Sequence, residues 1–297
     1  MEVVIHDMRV SCDERLLGTS RCHKIITLWD SKSFREIASV KPDFDGGDDR
    51  MAIDSASSRI FSGTWEDGLT CYDFASDQVI WHRDDLIGIQ RVDFSHAFPT
   101  SLFLAMEEPD YRVGEAGTFT GVVELDARTG RNRWETDEAT TIYLHPNEPV
   151  MVLSNGATRM IRIFDGARKL LGSTPMANFA ILDVAFHRDR IAIAEGVKGV
   201  RLTDFQGREL ASYRAPSREP NCLNVAFTET ADAVIVYDSR KGSYVTRLDG
   251  AGRFVEEYER DVHGSISFFR HGTRFLDIYG RICRTSDGSV EGTIAVH

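Results

Sequence analysis

One phrase recurs along this 297-residue chain and limits what it can fold into more than any other feature. A short apolar, β-branched run ends in Asp, and a polar turn follows. It reads Ile25-Ile26-Thr27-Leu28-Trp29-Asp30 first. It returns at Asp73 (LTCYD), Asp126 (VVELD), Asp165 (IRIFD), Asp204 (VRLTD), Asp249 (VTRLD) and Asp287 (CRTSD). The intervals are 43, 53, 39, 39, 45 and 38 residues. A fixed period of about 40–45 residues is that of one four-stranded unit in a repeat architecture.

Each unit reads alike. In residues 180–213 a strand over 181–186 is followed by the turn His187-Arg188-Asp189 and a second strand over 190–194. A third strand covers 199–204 and a fourth 209–213. Strand signals bounded by Gly, Asp, Asn and Arg recur at this spacing, and helical periodicity is absent almost everywhere. The second strands (Leu102 to Met106, Val150 to Leu153, Ile191 to Ala194, Ala233 to Tyr237) are apolar almost without alternation. A hairpin with one wet face alternates, so these strands must be covered on both faces. Sheets stacked radially do this, each between two neighbours. The expected fold is all-β, a seven-bladed β-propeller of four-stranded antiparallel blades in a single domain over 1–297. Its blades are placed near 4–40, 48–83, 88–136, 140–175, 180–214, 221–259 and 264–296.

The phrase "strand, LWD, turn, strand" resembles the WD40-repeat family, and seven units resemble its seven-bladed form. Trp29-Asp30 is the only literal WD; elsewhere the pair is YD, LD, FD, TD, LD and SD. The family's Gly-His pair is not recognisable, and the Asp of its second loop has a counterpart only at Asp67. The resemblance is therefore degenerate and implies fold more than function. Leu125-Asp126-Ala127-Arg128-Thr129-Gly130-Arg131-Asn132-Arg133-Trp134 also resembles the tryptophan-docking repeat of quinoprotein-type propellers. Asp73 and Trp81 repeat its Asp-to-Trp spacing. Both tryptophans read as fourth-strand packing residues.

The charge balance is acidic: the net charge is -11 and the isoelectric point is near 5.3. A general nucleic-acid binder needs a basic surface, so nucleic acid is not the expected partner. No apolar run approaches the ~18 residues that span a membrane, and residues 1–16 carry no signal-peptide pattern. Cys12, Cys22, Cys71, Cys222 and Cys283 are odd in number and contain no CxxC. They read as inert thiols in a reducing, cytoplasmic compartment.

Common catalytic phrases are absent: GxSxG, HExxH, GxxxxGK[ST] and GxGxxG between strand and helix. Asp43, Asp45, Asp48 and Asp49 cluster on a Gly-bent loop, but alternate-residue ligands stop after Asp45 and no closing Glu follows. That stretch reads as an acidic interblade turn. His96, His145, His187 and His271 each follow a first strand, and read as turn residues rather than metal ligands. No cofactor and no metal are expected.

Charge points to one surface. In a propeller of this strand order, the loops before strand one and between strands two and three share a face. There the first four blades carry Asp43, Asp45, Asp48, Asp49, Glu66, Asp67, Asp84, Asp85, Glu107, Glu108, Asp110, Glu115, Asp137 and Glu138. Turns on the other side carry basic residues, among them Arg128, Arg133, Arg208, Arg253 and Arg274. The longest loop, 107–119, adds Tyr111 and Arg112, residue types enriched at interface hot spots. The expected function is a non-catalytic protein–protein interaction scaffold, possible as a subunit of a larger complex. Trp65 and Tyr111 are its apolar anchors. Asp48, Asp49, Glu66 and Asp67 steer a partner with a basic surface, and Arg112 is a further partner-binding residue. The alternative is a propeller enzyme or ligand binder of the metal-dependent hydrolase or lactonase type, using the channel mouth. For that role the first strands offer only Asp93 and Asp183.

Overall fold

The computed structural model describes residues 5–21, 25–41, 50–107, 120–178, 180–214, 222–228, 233–238, 243–260, 266–269 and 271–294. Among these every regular element is a strand, and each sheet is built from four consecutive strands. Sheet 1 comprises β1 Asp7–Val10, β2 Leu16–Arg21, β3 Ile25–Asp30 and β4 Glu36–Val40. Sheet 2 comprises β5 Arg50–Asp54, β6 Arg59–Gly63, β7 Leu69–Asp73 and β8 Gln78–Arg83. Sheet 3 comprises β9 Ile89–Phe94, β10 Ser101–Met106, β11 Gly121–Asp126 and β12 Asn132–Thr136. Sheet 4 comprises β13 Thr141–Leu144, β14 Val150–Asn155, β15 Met160–Asp165 and β16 Leu170–Pro175. Sheet 5 comprises β17 Asp183–His187, β18 Arg190–Ala194, β19 Val200–Asp204 and β20 Glu209–Tyr213. Sheet 6 comprises β21 Cys222–Phe227, β22 Ala233–Asp238, β23 Ser243–Asp249 and β24 Phe254–Arg260. Sheet 7 comprises β25 Ile266–Phe269, β26 Arg274–Asp277, β27 Arg281–Arg284 and β28 Val290–Thr293. These limits follow the ranges expected from the sequence to within a few residues.

The chain divides into two compact units, Met1–Leu153 and Ser154–His297. In the first, β1 packs beside β5, β5 beside β9, and β9 beside β13. In the second, β17 packs beside β21 and β21 beside β25. The cores lie between successive sheets. Leu28 and Val40 of sheet 1 meet Met51 and Ile60 of sheet 2. Phe61 and Leu69 meet Leu104 and Val123 of sheet 3. In the second unit Ala192 and Leu202 meet Val225 and Leu248. Val245 meets Ile266 and Phe275. The apolar second strands β6, β10, β14 and β18 are covered on both faces, and β10 is buried along its whole length. Fourth strands are the exposed ones, as in β8 and β20.

The recurring Asp folds its own turn. Oδ1 of Asp30 accepts the backbone N–H groups of Lys32 and Ser33. Asp73, Asp126, Asp165, Asp204 and Asp249 cap their turns in the same manner. This is the side-chain mimic of a backbone turn that Asp makes well. The seventh phrase departs from the pattern. β27 ends at Arg284, and Asp287 lies three residues beyond, inside the turn. The Arg284 N–H donates to Ser289 O, as that of Asp30 donates to Arg35 O. Arg284 therefore takes the place Asp holds elsewhere. Asp287 still receives the Ser289 N–H, which is why the sequence spacing looked regular.

These turns also join sheets. Gly207, in the turn after β19, lies against β16: a Cβ there would sit 2.5 Å from Ser173 O. Its φ is +77°, a region that favours glycine. Gly130, after β11, lies under the Trp81 ring of β8, and the Trp81 indole N–H donates to Ala127 O at 3.3 Å. The tryptophan expected to pack on a fourth strand thus docks on the next sheet's turn. Trp29, by contrast, is buried within its own sheet and donates to Thr19 Oγ1 at 2.9 Å.

All seven pairs of third and fourth strands carry a register shift at the same place. The fourth-strand residue skipped is Ile37, Ile80, Arg133, Leu171, Leu210, Val255 or Glu291. A bulge of this kind bends a strand and re-aims a side chain. Cys71 and Cys283 are buried free thiols; burial pushes the Cys71 thiol up to about 12, so it is inert. Among the described residues no helix is long and apolar enough to cross a membrane.

Two outcomes are expected. Gly207→Ala combines strained φ with a clash against Ser173 O, and should cost about 1–3 kcal/mol in urea denaturation. An unchanged midpoint would show that the two strands are free to move apart. The second concerns acid. Backbone hydrogen bonds from Ser33, Ala75 and Arg253 hold the carboxyls of Asp30, Asp73 and Asp249 below their usual range. At Asp204 burial opposes ionisation, but the Arg208 N–H and guanidinium outweigh it. A carboxyl depressed in the folded state adds stability that is present above its unfolded pKa of about 4 and is lost as pH falls through the folded value. The urea midpoint should therefore fall steeply below about pH 4. Asn at positions 30, 126 and 204, which still caps but does not titrate, should flatten that fall.

Candidate functional site

The loop joining β6 to β7 is short and held from several sides. Thr64 N–H donates to Gly68 O at 3.0 Å, and Asp67 N–H donates to Thr64 Oγ1 at 2.7 Å. Gly68, at φ +87°, lies so close to the end of β8 that a Cβ would sit 2.1 Å from Arg83 O. Two further hydrogen bonds cross the surface. Gly88 N–H donates to Trp65 O, and Glu107 N–H donates to Gly88 O, both at 2.8 Å. The β6–β7 loop, the segment before β9 and the end of β10 are thereby stitched together through Gly88.

Of the residues expected from the sequence, Trp65, Glu66 and Asp67 sit together on this loop. Trp65 and Asp67 are half-buried and Glu66 is exposed. Glu107, where the longest loop departs, is bonded to the same Gly88. Asp48, Asp49, Tyr111 and Arg112 lie outside the described residues. Gly88 was not anticipated. Its signal in the sequence is slight: a glycine in an interblade segment, LIGIQ.

Not every acid on these loops is available. Asp85 receives two hydrogen bonds of 2.6 Å from the Arg83 guanidinium, which holds its carboxyl below the usual range. Arg83 also reaches Gly130 O and Asn132. Arg83 is the tether between sheets and occupies Asp85, and Glu66, Asp84 and Glu107 are further exposed acids near this loop. The basic turns are paired too. Arg208 bonds Asp204, Arg253 bonds Asp249 and Arg281 bonds Asp277, each by Nε at 2.6–2.7 Å. A repeated D-x-x-G-R turn produces all three (Asp204 to Arg208, Asp249 to Arg253, Asp277 to Arg281) and is legible in the sequence once sought.

The first strands hold several polar groups in structural bonds. Asp7 Oδ2 accepts the Met51 N–H, and Arg50 Nε donates to Gln90 O. Arg91 pairs with Asp93 and lies 4.2 Å over the Tyr143 ring. Asp183 Oδ2 accepts the Val225 N–H at 3.0 Å, and Asn224 Oδ1 accepts that of Ile266. Asp93 and Asp183, the acids a channel-mouth enzyme would draw on, are engaged in this way. Among the described residues no three His, Cys, Asp or Glu side chains converge with metal-ligand spacing. His145 is a turn residue: its Nδ1 accepts the N–H groups of Asn147 and Glu148. His187 packs 5.7 Å from the Phe227 ring, and burial followed by the Arg188 charge holds its pKa below the usual range.

No protein-family model matches this chain. No curated protein matches it either. Solved structures do match. The Kluyvelomyces marxianus Hsv2 structure is 10% identical, with TM-score 0.70, covering 94% of this chain and 91% of that one. The β-propeller domain of Cps50 (Swd1) from Myceliophteria thermophila is 11% identical, with TM-score 0.73, covering 97% and 95%. The computationally designed Ika8 protein is 10% identical, with TM-score 0.64, covering 95% and 96%. At such identities the likeness shows the fold: an all-β propeller of four-stranded antiparallel blades.

Gly68→Ala tests the stitching. The added strain, about 1–3 kcal/mol, should loosen the loop and raise amide exchange at Gly88 and Glu107 by about tenfold or more. Exchange in sheet 1 should stay unchanged; rates at Gly88 and Glu107 equal to those of the wild type would show that the loop does not depend on Gly68.

Proposed function

We propose that the seven four-stranded sheets are the blades of one degenerate, WD40-like seven-bladed propeller spanning 1–297. In this reading the protein is a non-catalytic scaffold in the cytoplasm, a subunit of a larger complex. It holds a partner protein on the acidic loop face of blades 1 to 4. Trp65 and Tyr111 anchor apolar contacts. Asp48, Asp49, Glu66 and Asp67 steer a basic surface toward them, and Arg112 adds a polar contact.

One observation supports this reading above the others: Trp65 is half-buried beside exposed Glu66 on a loop whose backbone is locked through Gly68 and Gly88. An aromatic anchor on a rigid loop loses little entropy on binding, which is how hot spots reach high affinity. Complementary charge around it raises the association rate more than the affinity. Asp93 is paired with Arg91 of its own strand and Asp183 accepts the Val225 N–H of the next sheet, which leaves the enzyme alternative without comparable support.

The test is affinity capture from the native host with wild-type protein and a Trp65→Ala, Tyr111→Ala double variant. Partner recovery should fall by about tenfold or more, the scale of losing an aromatic anchor. Glu66→Gln with Asp67→Asn should slow association and reduce its salt dependence. Undiminished recovery with the double variant would move the site off this face.

A further inference from the structure

Sheet 7 reverses a charge pattern found elsewhere in the fold. In sheet 3 the third strand ends in Asp126, and Arg133 occupies the skipped position of β12 and pairs with it. Ser101, opposite Asp126 in β10, accepts a hydrogen bond from Arg133 at 3.0 Å. That cluster is self-sufficient: Arg133 meets Asp126 and the hydroxyls of Thr100 and Ser101, and Ser101 donates to Glu124. In sheet 7 the third strand ends in Arg284, and the skipped residue is Glu291. The residue opposite Arg284 in β26 is Arg274. Elsewhere an arginine at the start of a second strand faces Asp, as Arg59 faces Asp73 and Arg190 faces Asp204. Here two arginines face each other, an unfavourable cross-strand pair unless an anion lies between them.

Glu291 partly fills that need. Its carboxylate pairs with Arg274 at 2.5 Å and with Arg284 at 2.8 Å. A third arginine, Arg247 of β23, approaches from sheet 6. The three guanidinium groups and Glu291 line a cleft of about 400 Å³ between sheets 6 and 7, together with Thr273 and Thr285. Three positive charges face one negative charge in its wall. Asp287 and Glu256, which pair with Arg284 and Arg247, lie outside the lining and are about half exposed, where pairing is weak. Two buried donors in the wall have no partner among the described residues: Arg247 Nε, and the hydroxyl of Thr285, a residue 2% exposed.

We propose that this cleft binds a small phosphate ester. A phosphate monoester carries about -1.5 to -2 charge at pH 7, which the three guanidinium groups of the wall attract, in competition with the half-exposed Asp287 and Glu256 outside it. Guanidinium forks bind such oxygens in pairs, and hydroxyls complete the shell. The volume exceeds what a phosphate alone needs and falls in the range of about 300–1,000 Å³ typical of small-molecule sites. Glu291 acts as the internal anion that keeps the arginines in place when the ester is absent.

Isothermal titration with inorganic phosphate and with phenyl phosphate, against chloride at equal ionic strength, tests this. Phenyl phosphate should bind with Kd ~1 mM or tighter, and more tightly than inorganic phosphate. Arg284→Gln should weaken it by about tenfold. Arg247→Gln, which leaves the Arg274–Glu291–Arg284 cluster whole, should also weaken it and guards against a folding defect. Arg253→Gln, whose partner is Asp249 outside the cleft, should leave it unchanged. Glu291→Gln should tighten binding, because it removes the competing carboxylate; a merely structural ion cluster gives no such gain. No binding above chloride, equal weakening by Arg253→Gln, or no gain from Glu291→Gln would overturn the site. Equal affinity for the two probes would overturn the ester.

Discussion

In sheets 3, 5 and 6 the turn after the third strand is where one sheet meets the one before it. An Asp carboxylate gathers two backbone N–H groups and fixes the turn's shape, as at Asp204 and Asp249. That shape presents a backbone corner to the preceding sheet's fourth strand. Gly207 meets Ser173, Gly130 meets the Trp81 ring, and Gly252 meets Ala211. Close approach at this edge sets how the larger apolar faces stack. Phe61 against Leu104, or Leu202 against Val225, is buried only when the sheets approach at the right distance. The polar turn and the apolar core are therefore one device: the turn contributes geometry and the core contributes most of the free energy.

Turns also consume charge. Arg208, Arg253 and Arg281 close on the Asp that opens their own turn, and Arg83 closes on Asp85. A tally of basic and acidic residues by face overstates the polarity of the surface, because many are internal partners. Two places keep chemistry to spare: the loops around Trp65 and Glu66, and the arginine cleft of sheet 7. Each departs from the repeat in its own way, one by an aromatic on a locked loop and the other by reversal of an ion pair. Departures from an otherwise consistent pattern are where function is sought in a repeat protein.

Much of the architecture was legible. The Asp period, the apolar second strands and the turn residues placed all seven sheets to within a few residues. Local physics explains this, since a β-branched run and an Asp turn behave similarly wherever they occur. The seventh phrase misled because Asp287 also caps a turn, although Arg284 ends the strand. Spacing alone does not distinguish the two. The skipped fourth-strand residues were not legible, because the skip is defined by register against a partner strand and leaves no mark on hydrophobicity. Trp65, Glu66 and Asp67 were found by their proximity in sequence. Gly88 and Glu107 join them through backbone bonds that no side-chain pattern announces.

By itself the sequence determined the class of fold, the number of repeating phrases and the strand limits, because these depend on contacts within a few residues. Tertiary structure decided which charges remain available. Asp183 is a candidate channel acid in the sequence, and in the fold it accepts the Val225 N–H of the next sheet. Arg247, Arg274, Arg284 and Glu291 are four scattered residues until sheets 6 and 7 pack and line one cleft with them. The reason is range: turn and strand preferences act along the chain, whereas a site is made by groups far apart in sequence that packing brings together.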